Sequence, residues 1–133
     1  MYGSLDISTS ALVAHRQWMT AISNNLANEY SLENAQGEYS PYRAKIVVMR
    51  PGDGEGSSQG VHVAEIMQDP SQLRRVFDPT SPFADNEGYV GYPNVDPVKE
   101  QMNAMMALNA YQANITAAEA TKTMLRDSLK LIG

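Results

Sequence analysis

A chain of 133 residues has room for one small domain, or for a small domain carried on longer helices. Its formal charge of −5, with 10 Lys and Arg against 15 Asp and Glu, argues against nucleic acid or an anionic membrane as a general partner. Cysteine is absent, which excludes a disulfide framework, a thiolate nucleophile and a thiolate metal site.

The opening Met1-Tyr2-Gly3-Ser4-Leu5-Asp6 lacks the basic region and continuous apolar core of a secretory signal. From Ser8 to Asn28 the pattern predicts a helix, with Ser8 or Ser10 as its cap. Leu5, Leu12, Met19 and Leu26 recur every seventh residue, and His15 and Ile22 fill the alternate positions. Ala11, Ala14, Trp18 and Ala21 broaden that apolar face. Arg16 is the sole charge from Thr9 to Asn28, and the asparagines of Ser23-Asn24-Asn25-Leu26-Ala27-Asn28 supply a stop signal.

A polar loop is expected from Glu29 to Pro41, turning at Gln36-Gly37. Alternation over Tyr42–Met49 predicts a strand ended by Pro51, and Val61–Ile66 predicts its hairpin partner. Between them, Gly52-Asp53-Gly54-Glu55-Gly56-Ser57-Ser58-Gln59-Gly60 reads as a loose, solvated tip. A third short strand is expected over Leu73–Phe77, and Thr80–Pro93 as irregular chain.

Asp96 then caps a long helix whose first residue is Pro97, where a missing N–H costs nothing. At 1.5 Å per residue it extends roughly 55 Å. Ala104, Leu108, Tyr111, Ile115, Ala118, Lys122, Leu125, Leu129 and Ile132 fall on one face, broken only by Lys122. Between Glu100 and Glu119 there is no charge, yet Gln101, Asn103, Asn109, Gln112 and Asn114 are spread around the helix. Five amides are too polar for a membrane span. They suit a helix whose outer face is also buried against protein, because an amide can be paired without the penalty of burying a charge.

The expected fold class is therefore mainly α with a small β insert. Long N- and C-terminal helices, within segments 1–28 and 94–133, form a coiled-coil-like pair. They flank a small β-hairpin domain over 29–93 that contains the flexible loop 51–60.

Catalytic chemistry finds no foothold. His15 lies on an apolar helix face and His62 in a strand, without a nucleophile-elbow serine. Gly52-Asp53-Gly54-Glu55-Gly56 lacks the later ligands of a calcium loop and the Lys-Ser/Thr of a phosphate cradle. No metal, cofactor or catalytic residue is expected, and assembly through the helices is. A soluble adaptor that takes one partner helix in its groove is the alternative from another class.

Ser10-Ala11-Leu12 with Ile22-Ser23-Asn24-Asn25-Leu26-Ala27-Asn28 resembles the N-terminal motif of bacterial flagellar rod, hook and hook-associated proteins. Ala110-Tyr111-Gln112-Ala113-Asn114 is similar to their C-terminal motif. Tyr42-Arg43-Ala44-Lys45, Gly60-Val61-His62-Val63, Phe77-Asp78-Pro79, Pro82-Phe83-Ala84-Asp85 and Gly88-Tyr89-Val90-Gly91-Tyr92-Pro93-Asn94-Val95 narrow the resemblance to the FlgC family of proximal rod proteins. The chain departs from the family pattern at Glu29-Tyr30, where Thr is usual, and at Asn109, where Arg is usual.

The resemblance implies a structural subunit of the basal-body rod, exported unprocessed by the flagellar type III apparatus and polymerised in the periplasm. Its partners would be copies of itself, other rod proteins and basal-body ring or junction proteins, with no nucleic acid and no membrane insertion. Another rod or hook-junction component is the nearest alternative. The assembly interface expected is Leu12, Met19, Ile22, Asn24, Asn25, Leu26 and Asn28 on the first helix. On the second it is Leu108, Tyr111, Gln112, Ala113, Asn114, Ile115, Leu125 and Leu129.

Overall fold

In the computed structural model, which describes residues 2–56 and 58–133, Asp96 does what its place before Pro97 predicts. Its Oδ1 accepts the N–H groups of Val98 at 3.1 Å and Lys99 at 3.3 Å, satisfying donors that the first helical turn leaves open. The helix so begun, α2, spans Pro97–Ile132 and closes where the Gly133 N–H meets the Leu129 carbonyl at 3.1 Å. The N-terminal helix, α1, spans Tyr2–Ala27 and starts earlier than Ser8. Neither serine is a cap. Ser8 is buried within the helix, and Ser10 Oγ donates to the Ile7 carbonyl while accepting the Val61 N–H.

Between the helices lie two separate antiparallel ribbons. β1 (Lys45–Pro51) pairs with β2 (Val61–Gln68) from Lys45 opposite Gln68 to Pro51 opposite Val61. A register shift at Val48/Met49 bulges this ribbon, which increases its twist as it lies along α1. β3 (Arg74–Phe77) pairs with β4 (Tyr89–Tyr92), a strand absent from the sequence expectation. Glycine and proline around it read as irregular chain, but Gly91 is required there by a neighbour. The Tyr39 hydroxyl donates to the Gly91 carbonyl at 2.8 Å, and a Cβ on Gly91 would stand 2.7 Å from that oxygen.

β1 starts at Lys45 rather than Tyr42 because residues 42–44 make long-range hydrogen bonds instead of a ladder. The loop between β1 and β2 is less loose than its composition suggests. Its base closes through Gly52 N–H to the Gly60 carbonyl, and His62 Nδ1–H donates to the Gly52 carbonyl at 2.8 Å. Gly60, at φ +83°, sits so close to α1 that a Cβ would meet Ser10 Oγ at 2.6 Å. Ser57, in the same predicted loop, lies outside the described residues.

α1 packs against α2 and against the β1–β2 ribbon. Its buried positions, Ser8, Ala11, Ala14, Ala21, Ile22 and Asn25, are mostly small. On α2 the matching position is Ala107, fully buried, while Leu108 stands 47% exposed. Ala104, Tyr111, Ile115, Ala118 and Leu125 keep their predicted places, half-buried in the seam, while Ala107 replaces Leu108. Alanine on both surfaces lets two helix axes approach to about 8 Å, a spacing that a leucine at the contact would prevent. Lys122 likewise yields its place to half-buried Thr121. Leu129 and Ile132 also leave the seam, at 64% and 85% exposed. α2 has 36 residues against 26 in α1. Asn25 meets Glu100, so the start of α1 comes level with about residue 123 and the last turns of α2 extend beyond it.

Candidate assembly surface and its anchoring joint

The polar groups that tie the helices to the ribbons converge at the end of α1. Asn25, 1% exposed, accepts the Tyr42 hydroxyl and the Lys45 N–H on Oδ1, each at 2.8 Å. Its amide donates to the Lys45 carbonyl at 3.0 Å and faces the Glu100 carboxyl. A single side chain thereby joins α1, the approach to β1 and the first turn of α2. Asn94 repeats the device from the other side. It accepts the Ala44 N–H at 2.8 Å and donates to the carbonyls of Asp69 and Ser71 at 3.1 Å. Arg43 reinforces the same two carbonyls at 3.2 and 2.9 Å.

Burial sets the electrostatics of this joint. It pushes the Glu100 carboxyl above the usual carboxylate range; the Asn25 amide and the Lys99 charge pull it back, while Asp96 raises it further. Burial, then the Glu100 charge, raises the Tyr42 phenol. At the edge, hydrogen bonds from Ser71 hold Asp69 below the usual range, and the Tyr89 N–H does the same for Asp85.

Away from the joint, α2 presents a large apolar surface to solvent. Val98, Met102, Met105, Met106 and Leu108 are all exposed, and Met124, Leu129, Leu131 and Ile132 continue the exposure to the end of the helix. Three polar side chains of this helix bond back onto it. Asn114 donates back to the Ala110 carbonyl at 2.9 Å, and the Thr116 and Thr121 hydroxyls donate to Gln112 and Ala117. Polar groups folded onto their own helix can be covered by a neighbour at little desolvation cost.

The expected interface residues divide by place. Asn24, Leu108, Gln112, Ala113 and Leu129 are exposed; Leu12, Met19, Leu26, Asn28, Tyr111, Asn114, Ile115 and Leu125 are half-buried along the helix pair. Ile22 and Asn25 are buried inside the chain and offer nothing to a neighbour in this fold. The joint residues Tyr42, Asn94 and Glu100 escaped the sequence expectation. Tyr42 and Asn94 stood in the motifs of the family resemblance without a role, and Glu100 in the first turn of α2. The histidines are structural: His15 Nδ1–H donates to the Ala11 carbonyl at 2.6 Å beside the Trp18 ring, and His62 holds the loop base. Among the described residues, no group of three His, Asp or Glu is placed to hold a metal ion, and no helix is long and apolar enough to cross a membrane.

Comparison with known proteins bears on what this surface does. The family described as flagellar basal body rod FlgEFG protein, C-terminal, matches residues 86–131. The flagellar basal-body rod protein FlgC of Bacillus subtilis is 40% identical over 145 residues, covering 98% of this chain and 97% of that protein. Its counterpart in Yersinia enterocolitica is 42% identical over 130 residues, covering 95% of this chain and 93% of that protein. The Salmonella typhimurium protein is 40% identical with the same coverage.

Proposed function

The chain belongs to the FlgC family of flagellar basal-body rod proteins and is a structural rod subunit; from that premise we propose that it polymerises through α1 and α2 into the proximal rod, the drive shaft that carries torque from motor to hook. The observation that carries this is the uncharged, exposed side of α2. Val98, Met102, Met105, Met106 and Leu108 form an apolar patch of a kind that monomeric proteins seldom leave open. Methionine is suited to it, because an unbranched, polarizable side chain adapts to several neighbours in a helical array.

In this proposal Asn24, Leu108, Gln112, Ala113 and Leu129 meet adjacent subunits directly. Leu12, Met19, Leu26, Asn28, Tyr111, Asn114, Ile115 and Leu125 shape the helix pair that presents them, and Ile22 and Asn25 hold it to the β ribbons. The ribbons lie outside the helical layer. The partners are further copies, other rod proteins, ring and junction proteins and the flagellar type III export apparatus, which delivers the chain unprocessed to the periplasm. The role assigned is assembly rather than catalysis.

Deleting the gene should leave basal bodies without a complete rod in electron micrographs, and a plasmid copy should restore them. An Ala113→Asp copy should fail to restore them while its purified product keeps the circular dichroism of the natural chain. Complete basal bodies in the deletion strain would refute the rod role, and normal motility with Ala113→Asp would refute burial of that face.

A further inference from the structure

Of the chain's 8 methionines, Met102, Met105, Met106 and Met124 lie on α2, where they are 60, 66, 59 and 60% exposed. At about 100° of turn per residue they share roughly 100° of arc, on the side of the helix opposite buried Glu100 and Ala107. From Val98 to Met124 no charged residue enters that arc, since Lys99, Glu119 and Lys122 project outside it. The methionines elsewhere are better covered. Met19 on α1 and Met49 on β1 are half-buried, and Met67 on β2 is 38% exposed. Accessible sulfur is therefore concentrated on the face through which the subunit is proposed to assemble.

With no cysteine in the chain, its thioethers are the principal targets of a hydroperoxide. The sulfur lone pair attacks one peroxide oxygen, an S–O bond forms as the O–O bond breaks, and the other oxygen leaves as water after proton transfer. Sulfur loses two electrons and the peroxide gains them. The product replaces a flexible apolar side chain with a polar one whose oxygen accepts hydrogen bonds. In the free subunit water solvates that oxygen, so the fold is undisturbed. Under a neighbouring subunit the same oxygen would leave water for an apolar surface, which opposes association.

We propose that these four methionines are an oxidation site that gates assembly. A hydroperoxide converts them to sulfoxides in the free subunit, and the growing rod refuses the oxidised subunit until a methionine sulfoxide reductase, with a dithiol as reductant, removes the oxygen as water. The gate rests on the rod function proposed above, because a sulfoxide matters only on a face that becomes covered. The site of oxidation itself does not depend on that function.

Purified full chain treated with dilute hydrogen peroxide and mapped by mass spectrometry should gain oxygen at Met102, Met105, Met106 and Met124 at least about fivefold faster than at Met19 and Met49. Its circular dichroism should not change, and methionine sulfoxide reductases A and B with dithiothreitol should reverse the gain. Equal rates at Met19 and Met49, or loss of helicity as the four are oxidised, would overturn the proposal. In the deletion strain carrying the natural gene, sublethal peroxide during rod growth should cut complete basal bodies by about half or more. Met102→Leu, Met105→Leu, Met106→Leu and Met124→Leu together keep the volume without the oxidisable sulfur and should prevent that loss. Met106→Gln with Met124→Gln is the converse. Polar without peroxide, it should lower the count of complete basal bodies while its purified product keeps the melting temperature of the natural chain. An equal peroxide loss with the leucines, or a normal count with the glutamines, would overturn the gate. If the natural gene failed to restore basal bodies without peroxide, the rod function would fail, while the oxidation rates of the purified chain would still decide the site.

Discussion

At one end of the helix pair, Asn25, Tyr42, Asn94 and Glu100 are packed into a joint in which nearly every polar atom has a partner. At the other, Leu129, Leu131 and Ile132 stand in solvent on a helix that has outrun its neighbour. The first end holds the folded subunit together, and the second is the surface proposed above to meet neighbouring subunits. The same molecule therefore separates residues that hold its own fold from large apolar residues that its own fold leaves uncovered. Size and polarity follow the division. Among the described residues, the fully buried positions of the helix pair are mostly small or amide side chains, while a run of large apolar ones on α2 faces outward.

Substitutions can break this contrast in order of effect. Asn25→Ala should be the most damaging, since it strands the Lys45 N–H and carbonyl and the Tyr42 hydroxyl away from water; with each bond to a buried group at about 1–3 kcal/mol, a loss of roughly 3 kcal/mol or more is expected in urea unfolding. A loss below about 1 kcal/mol would mean that the joint is not the anchor. Ala107→Leu should follow at about 1–3 kcal/mol, by forcing apart helices that meet over alanine. Its companion Leu108→Ala, on the exposed side, should change the urea midpoint little.

Glu100 sharpens the contrast through pH. Its raised value means that the folded chain keeps this proton to higher pH than the unfolded chain. The stability it contributes is full below the ordinary glutamate range and is lost as pH rises through the raised folded value. Glu100→Gln should therefore flatten the decline in urea midpoint measured from the glutamate range up to neutrality. An unchanged slope would refute that assignment. Asp69 and Asp85, whose values are lowered, act with the opposite sign, and their contribution is lost as pH falls.

Smallest of all in the isolated chain should be Leu129→Ser, within about 0.5 kcal/mol because that side chain is mostly exposed. The same substitution should reduce rod incorporation in cells, scored as complete basal bodies per micrograph field. A large loss of subunit stability would show that the last turns of α2 are packed after all.

Much of this was legible beforehand. Asp96-Pro97 announced a helix start, and the alternation around Val47 and Val63 announced a ribbon. Those signals are local: capping and period act within a few residues of one another. What escaped depended on distant partners. β4 exists because Tyr39 and β3 meet it, Ser10 became a tether because Val61 arrives beside it, and Asn25, whose sequence signal was a helix stop, became the hinge pin of three elements.

By itself, the amino-acid sequence determined two long helices, a small β insert between them and a family resemblance that runs the length of the chain. Only the tertiary structure decided which residues of each apolar face are fully buried. Periodicity marks an apolar face without measuring how closely two backbones must approach. At this crossing the approach selects Ala107 over Leu108, which is left 47% exposed beside the exposed Met105 and Met106.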